Sequence, residues 1–83
     1  MSLRFFGKDP QSEEDECPSV FVDDTNADLV FQGWNGDEAT QDQCRAHGPI
    51  ADNEGVVRIP ARMVSMIRKA CDDAERRAAA QLP

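Results

Sequence analysis

Apolar positions in this chain fall into five short runs, residues 3–6, 20–22, 29–34, 56–59 and 63–67, with polar stretches between them. The runs Ser19-Val20-Phe21-Val22 and Leu29-Val30-Phe31-Gln32 are β-branched and aromatic, of strand length, and flank Asp23-Asp24-Thr25-Asn26-Ala27-Asp28, whose side chains bond their own backbone in turns. That pattern predicts a central hairpin over about 19–34. Alternation along the second strand puts Leu29 and Phe31 on one face and Val30, Gln32 and Trp34 on the other, so both faces carry apolar groups.

Outside the hairpin, Leu3-Arg4-Phe5-Phe6 predicts a short first strand ended by Gly7 and Pro10, and Val56-Val57-Arg58-Ile59 another strand. Residues 37–47 read as a short helix, with Asp37 as N-cap and Gly48-Pro49 as stop. The longest periodic segment spans about 60–79. Pro60 sits at its first turn, where a missing N–H costs nothing. Met63, Val64, Met66, Ile67, Ala70, Cys71 and Ala74 fall on one arc; Arg62, Arg68, Lys69, Asp72, Asp73 and Arg76 fall on the other. Spacing further predicts Asp72–Arg76 and Asp73–Arg77 pairs along this helix.

The elements together predict an α+β domain, a small antiparallel sheet of three or four strands packed against one C-terminal amphipathic helix. Eighty-three residues make one domain, 1–83, whose core is thin, since a chain this short buries only about 60–65% of its unfolded surface. Residues 8–17, with Glu13-Glu14-Asp15-Glu16 in a row, read as an acidic loop.

Charge sharpens the picture. The net charge is −7, with 3 − 13 = −10 over residues 1–54 and 6 − 3 = +3 over residues 55–83. The acidic body repels phosphate backbones, which argues against direct nucleic-acid binding and for a basic protein partner. Met1–Phe6 is not followed by the apolar run of a signal peptide, and no segment reaches the length of a membrane span. Three cysteines do not form an even disulfide framework, so a cytoplasmic protein with reduced thiols is expected, away from membranes.

Candidate chemistry is sparse. Cys44-Arg45-Ala46-His47 has the spacing of a metal-ligand pair, with Cys17 as a further candidate ligand, while Cys71 belongs to the apolar helix face. A small metal- or ligand-binding protein using Cys44 and His47 is therefore the alternative reading. No phosphate-binding glycine pattern occurs among glycines 7, 33, 36, 48 and 55, and the carboxylates lie in polar stretches where solvent keeps them ionised. The expectation is a protein that is not an enzyme and needs no cofactor. Trp34 at a strand end, Val30 on the second sheet face, and Arg62, Arg68 and Lys69 on the outer helix face are the candidate partner-binding residues.

The segments Cys17-Pro18-Ser19-Val20-Phe21-Val22-Asp23-Asp24, Asp28-Leu29-Val30-Phe31-Gln32-Gly33-Trp34 and Val57-Arg58-Ile59-Pro60-Ala61-Arg62-Met63-Val64, with the Met1 to Gly7 opening, resemble a group of small uncharacterised actinomycete (Streptomyces-type) proteins. Their element order is similar to that of the family of unknown function that includes the developmental protein BldB. The resemblance carries no catalytic motif. It implies a regulatory role by binding a helix-turn-helix transcriptional regulator; a homodimer, joining the basic outer helix face to the acidic half of a second copy, is a further expectation from the charge split.

Overall fold

The computed structural model describes residues 2–12 and 17–81. The chain is α+β, as the hydrophobic pattern predicts. Strands β1 (Leu3–Lys8), β2 (Ser19–Asp23) and β3 (Leu29–Gln32) form an antiparallel sheet in the order β1-β2-β3. A two-residue strand β4 (Trp34–Asn35), helix α1 (Glu38–Arg45) and strand β5 (Val57–Arg58) follow, with β4 and β5 paired as a separate ribbon. A 3-10 turn, Ala61–Met63, leads into helix α2 (Val64–Gln81).

The core is the contact between β2 and the start and middle of α2. Val20 and Val22 of β2 are fully buried against Met63 and Ala70, with Phe6, Ile59, Met66, Ile67 and Ala74 packed around them. Burying such side chains contributes about 1.5–3 kcal/mol each before the entropy of ordering is counted. Helix α2 packs chiefly on β2 and next on β1, and β3 receives the least cover.

Pairing carries the parity of β2 to its neighbours. Val22 lies beside Arg4 and Leu29, and Val20 beside Gly7 and Phe31, so these residues share the helix side of the sheet. Phe21 lies beside Phe5 and Val30, and Leu3 beside Asp23, on the side that α2 does not cover.

Two expectations need correction. The apolar run 29–34 is not one strand: β3 ends at Gln32, and Trp34 belongs to the β4–β5 ribbon. Gly33 allows the change of partner, because a Cβ there would stand 2.7 Å from Ile59 Cδ1 and 2.8 Å from the Arg58 carbonyl oxygen. Asp73, placed on the polar arc of α2 by its spacing, is buried. It tips inward because Arg77 donates to it from Nε at 2.8 Å and Arg4 of β1 stands 3.7 Å away. The Asp73–Arg77 pair thus forms as the spacing predicts, whereas Arg76 faces Asp73 at 3.7 Å rather than Asp72.

The first strand runs two residues past its expected end. A bulge between Phe5 and Gly7 shifts the register, and Gly7 takes φ 151°, a conformation that side-chain-bearing residues rarely adopt. Lys8 closes β1, and Pro10 to Ser12 form the turn after it; the Glu13–Glu16 part of the expected acidic loop lies outside the described residues.

The β4–α1–β5 excursion adds length more than core. Asp37 caps α1 as predicted, accepting from the Thr40 N–H at 2.8 Å, yet no residue of α1 is buried. Local bonds hold the excursion instead, from Gly36 N–H to the Val56 carbonyl at 2.9 Å and from Gln41 Nε2 to the Gly36 carbonyl at 2.8 Å. The radius of gyration is 14.4 Å, against about 12 Å for a compact chain of this length.

Gly7 supports a test of the bulge. A Cβ there would stand 2.6 Å from Met66 Sδ and Cε, and the φ adds strain that a smaller neighbour does not relieve. Gly7→Ala should lower stability by about 2–4 kcal/mol, read as a lower urea midpoint at unchanged slope. In a Met66→Ala background, which carries its own packing cost, Gly7→Ala should still lower the midpoint, since the backbone strain remains; no further loss there would assign the cost to the steric contact alone.

Candidate interaction surfaces

The uncovered side of the main sheet carries a contiguous set of apolar side chains. Its centre is a row across the three strands, Phe5 on β1, Phe21 on β2 and Val30 on β3, with Leu3 beside it. The rings of Phe5 and Phe21 lie 5.7 Å apart and tilted at 52°, a favourable aromatic arrangement. Phe5 is 60% exposed and Leu3 40%, while Phe21 and Val30 are half-buried.

Charges are distributed unevenly around this row. At one end lie Asp23, on the same side of the sheet, and the turn residues Asp24 and Asp28; Lys8 lies at the other end. The turn is held by its own side chains: Asp23 Oδ1 accepts from the Thr25 N–H at 2.8 Å and Asn26 Oδ1 from the Asp28 N–H at 3.0 Å. The Asp23 carboxylate is thus fixed at the rim by the turn itself, and the Asp24 carboxylate by the Ser2 N–H, which donates to its Oδ1 at 3.1 Å.

Of the candidate residues, Val30 lies in the row. Trp34 does not. It is half-buried in the β4–β5 ribbon, and its indole Nε1–H is buried without an acceptor among the described residues. Arg68 and Lys69 are exposed on the outer face of α2, away from the sheet.

Arg62 has a different role from the one its helix position suggested. Its guanidinium grips Asp9, with Nε donating to Oδ1 at 2.6 Å and the second contact made between the terminal nitrogen and Oδ2. Asp9 is fully buried at the end of β1; Ser12 Oγ and the Gln11 N–H also donate to its carboxylate, and its own N–H donates to the Pro18 carbonyl at 2.8 Å. The Arg62 contacts hold the Asp9 carboxyl far below the usual range, with the Ser12 and Gln11 bonds adding to the effect against the opposing cost of burial. The same pairing raises Arg62.

Cys44 and His47 are both exposed at the end of α1, where the His47 N–H donates to the Cys44 carbonyl at 3.0 Å. Cys17 is half-buried beside β2, and its carbonyl accepts from Ser19 Oγ and Gln32 Nε2. Among the described residues, no group of three His, Cys, Asp or Glu side chains is placed to hold a metal ion. No described helix is long and apolar enough to cross a membrane.

Sequence reasoning missed Phe5 and Phe21 as surface residues and Asp9 and Asp73 as buried ones. Alternation signals the first pair, since Arg4 separates Leu3 from Phe5 and Phe21 separates the two buried valines. The buried aspartates depend on arginines 53 and 4 residues away, and only the second pair leaves a mark in local spacing.

Comparison with known proteins returned no match to a family model, a curated protein or a solved structure.

The Asp9–Arg62 clamp has a pH signature. Because the folded carboxyl is depressed, its contribution to stability is complete above the ordinary value of 3.8 and is lost as pH falls below that value toward the folded one. Wild type should therefore lose stability on acidification below 3.8, and Asp9→Asn should be less stable at neutral pH yet show a smaller acid loss. Urea midpoints across that range check it; parallel acid profiles for the two proteins would remove Asp9 as the source.

Proposed function

We propose that this chain is a non-catalytic regulatory module of the cytoplasm that docks a basic protein on the uncovered face of its main sheet. One observation carries the reading: the aromatic row Phe5–Phe21 continues through Val30 to the far strand with no described element over it. Contiguous exposed apolar surface marks interaction sites more often than scattered residues do, and aromatic side chains dominate binding energy where they become fully buried.

Charge selects the kind of partner. The chain carries −7, and Asp23, Asp24 and Asp28 form the rim at one end of the row. The basic residues concentrated in the C-terminal part do not offset this at the rim, because Arg62 is engaged by Asp9 and Arg77 by Asp73. A partner presenting apolar side chains ringed by Lys and Arg fits both features. A helix-turn-helix transcriptional regulator, the class the sequence resemblance implies, meets that description, with DNA contacted only by the partner. A homodimer of this chain belongs to the same reading.

Phe5→Lys tests the face, since Phe5 is the most exposed member and contributes no core contact. It should keep the fold, measured by circular dichroism, and weaken capture of a basic partner by about 30-fold or more, the loss of a central aromatic contact reinforced by like charge. Capture by wild type should also weaken with added salt. Equal capture of the same identified protein by wild type and Phe5→Lys would overturn the assignment.

A further inference from the structure

The two edges of the main sheet are built differently. A free strand edge presents unpaired N–H and C=O groups, and folded proteins commonly blunt such edges with charges, bulges or short twisted strands. Edge strand β1 carries these devices: Arg4, Lys8, and the bulge between Phe5 and Gly7. Edge strand β3 reads Leu-Val-Phe-Gln, has regular pairing with β2, and carries no charge, proline or bulge.

Hydrogen-bond parity identifies which groups of β3 lie open. The Asp23 N–H donates to the Asp28 carbonyl at 2.8 Å, so that pair is a hydrogen-bonded one, and alternation makes Phe21/Val30 and Ser19/Gln32 the next two. Val30 and Gln32 thus direct their backbone groups toward β2, and Leu29 and Phe31 direct theirs outward. The side chains of Leu29 and Phe31 also stand half open, each 37% exposed, on the helix side of the sheet where α2 gives least cover. Among the described residues, backbone and side chains are therefore both open at one place.

We propose that the β3 edge pairs with the β3 edge of a second copy of this chain, forming a continuous six-stranded sheet about a twofold axis perpendicular to it. This rests on the homodimer named above and specifies its surface. A second copy fits for three reasons. In the antiparallel register that places Leu29 opposite Phe31 of the other copy, every outward-facing backbone group on both strands finds a partner, and Val30 meets its own mate. The same register sets Asp28 opposite Gln32, so a protein of charge −7 joins here without facing like charges across the seam. The spacing also closes. Helices seated over the two central strands would stand three strand spacings apart, about 14 Å, against about 8–10 Å for helices in contact. The remaining slot lies over Leu29, Phe31 and their mates, which fill it.

Hydrogen exchange and sedimentation test this together. In wild type the Leu29 and Phe31 amides should exchange at least about tenfold more slowly than open amides, as Val30 does in either case, and the sedimenting mass should be twice that of one chain. Leu29→Lys, which supplies the missing edge charge, should sediment as a single chain with an unchanged circular dichroism spectrum and fast exchange at Phe31. Fast exchange of Leu29 and Phe31 in wild type overturns the inference, and this measurement needs no variant to fold. A dimer that survives Leu29→Lys overturns the β3 seam while leaving the homodimer reading standing. A single-chain mass for wild type at all concentrations overturns both, and the Phe5→Lys capture result is independent of either outcome.

Discussion

The seating of Val20 and Val22 on Met63 and Ala70 governs the arrangement of the rest of the molecule. These four side chains form the buried hydrophobic core among the described residues, and the two valines lie on the one strand that has a neighbour on each side. Once the two valines face α2, alternation commits Phe21 to the opposite side, and pairing commits Phe5 and Val30 with it. The exposed aromatic row is therefore a geometric consequence of the core. A one-residue slip of β2 would bury Phe21 and expose both valines, exchanging the only deep contacts for a single aromatic. A thin core in a short chain leaves no second cluster to tolerate that exchange.

Charge is the second constraint, and it works through two buried aspartates. Asp9 anchors the end of β1 to the residue just before α2 through Arg62, and Asp73 anchors the far part of α2 to β1 through Arg4. The helix is thus tied to the first strand at two separated points, one near each end of the sheet. Ion pairs with one buried partner contribute little net stability compared with apolar packing, but a misaligned one leaves the buried carboxylate without its cation. They penalise sliding of the helix along the sheet, which a smooth contact of valine, methionine and alanine would resist weakly. Each clamp joins one charge from the first part of the chain to an opposite charge from the last part, and the rim carboxylates of the β2–β3 turn stay outside them.

Period and turn chemistry made the large elements legible in the sequence. The hairpin strands, the Asp37-capped helix and the C-terminal amphipathic helix all follow from local signals, because each is decided by residues within one or two turns of one another. Trp34 was misassigned because its departure from β3 is decided by Ile59 and Arg58, which crowd Gly33 from 25 or so positions along the chain. Arg62 was read as a free surface cation for the same kind of reason, since nothing near it in sequence announces Asp9. On the sheet surface, Val30 was legible by alternation, whereas the inclusion of Phe5 required the register of β1 across its bulge. Local chemistry thus specifies elements, and long-range register specifies which side chains they leave exposed.

The proposed partner face and the proposed dimer edge meet at β3, and their geometry is coupled. A row of three strands is narrow: at about 4.8 Å per strand it spans little more than 10 Å, small beside the roughly 800 Å² that each partner contributes to an interface of standard size. Joining two sheets through β3 about an axis perpendicular to them keeps both uncovered faces on the same side. The row then runs Phe5, Phe21, Val30, followed by the same residues of the second copy in reverse order. That doubles the apolar length and buries only the contact between the two Val30 side chains at the seam, because edge pairing otherwise consumes backbone groups and the side chains of Leu29 and Phe31 on the helix side. The acidic turns come to lie on opposite long sides of the extended surface, close to the seam, since the twofold reverses strand direction. A partner matching such a surface would itself present two basic patches related by a twofold axis, with apolar side chains between them. Open edge and open face, which in a single copy are separate liabilities, become parts of one binding surface in the dimer.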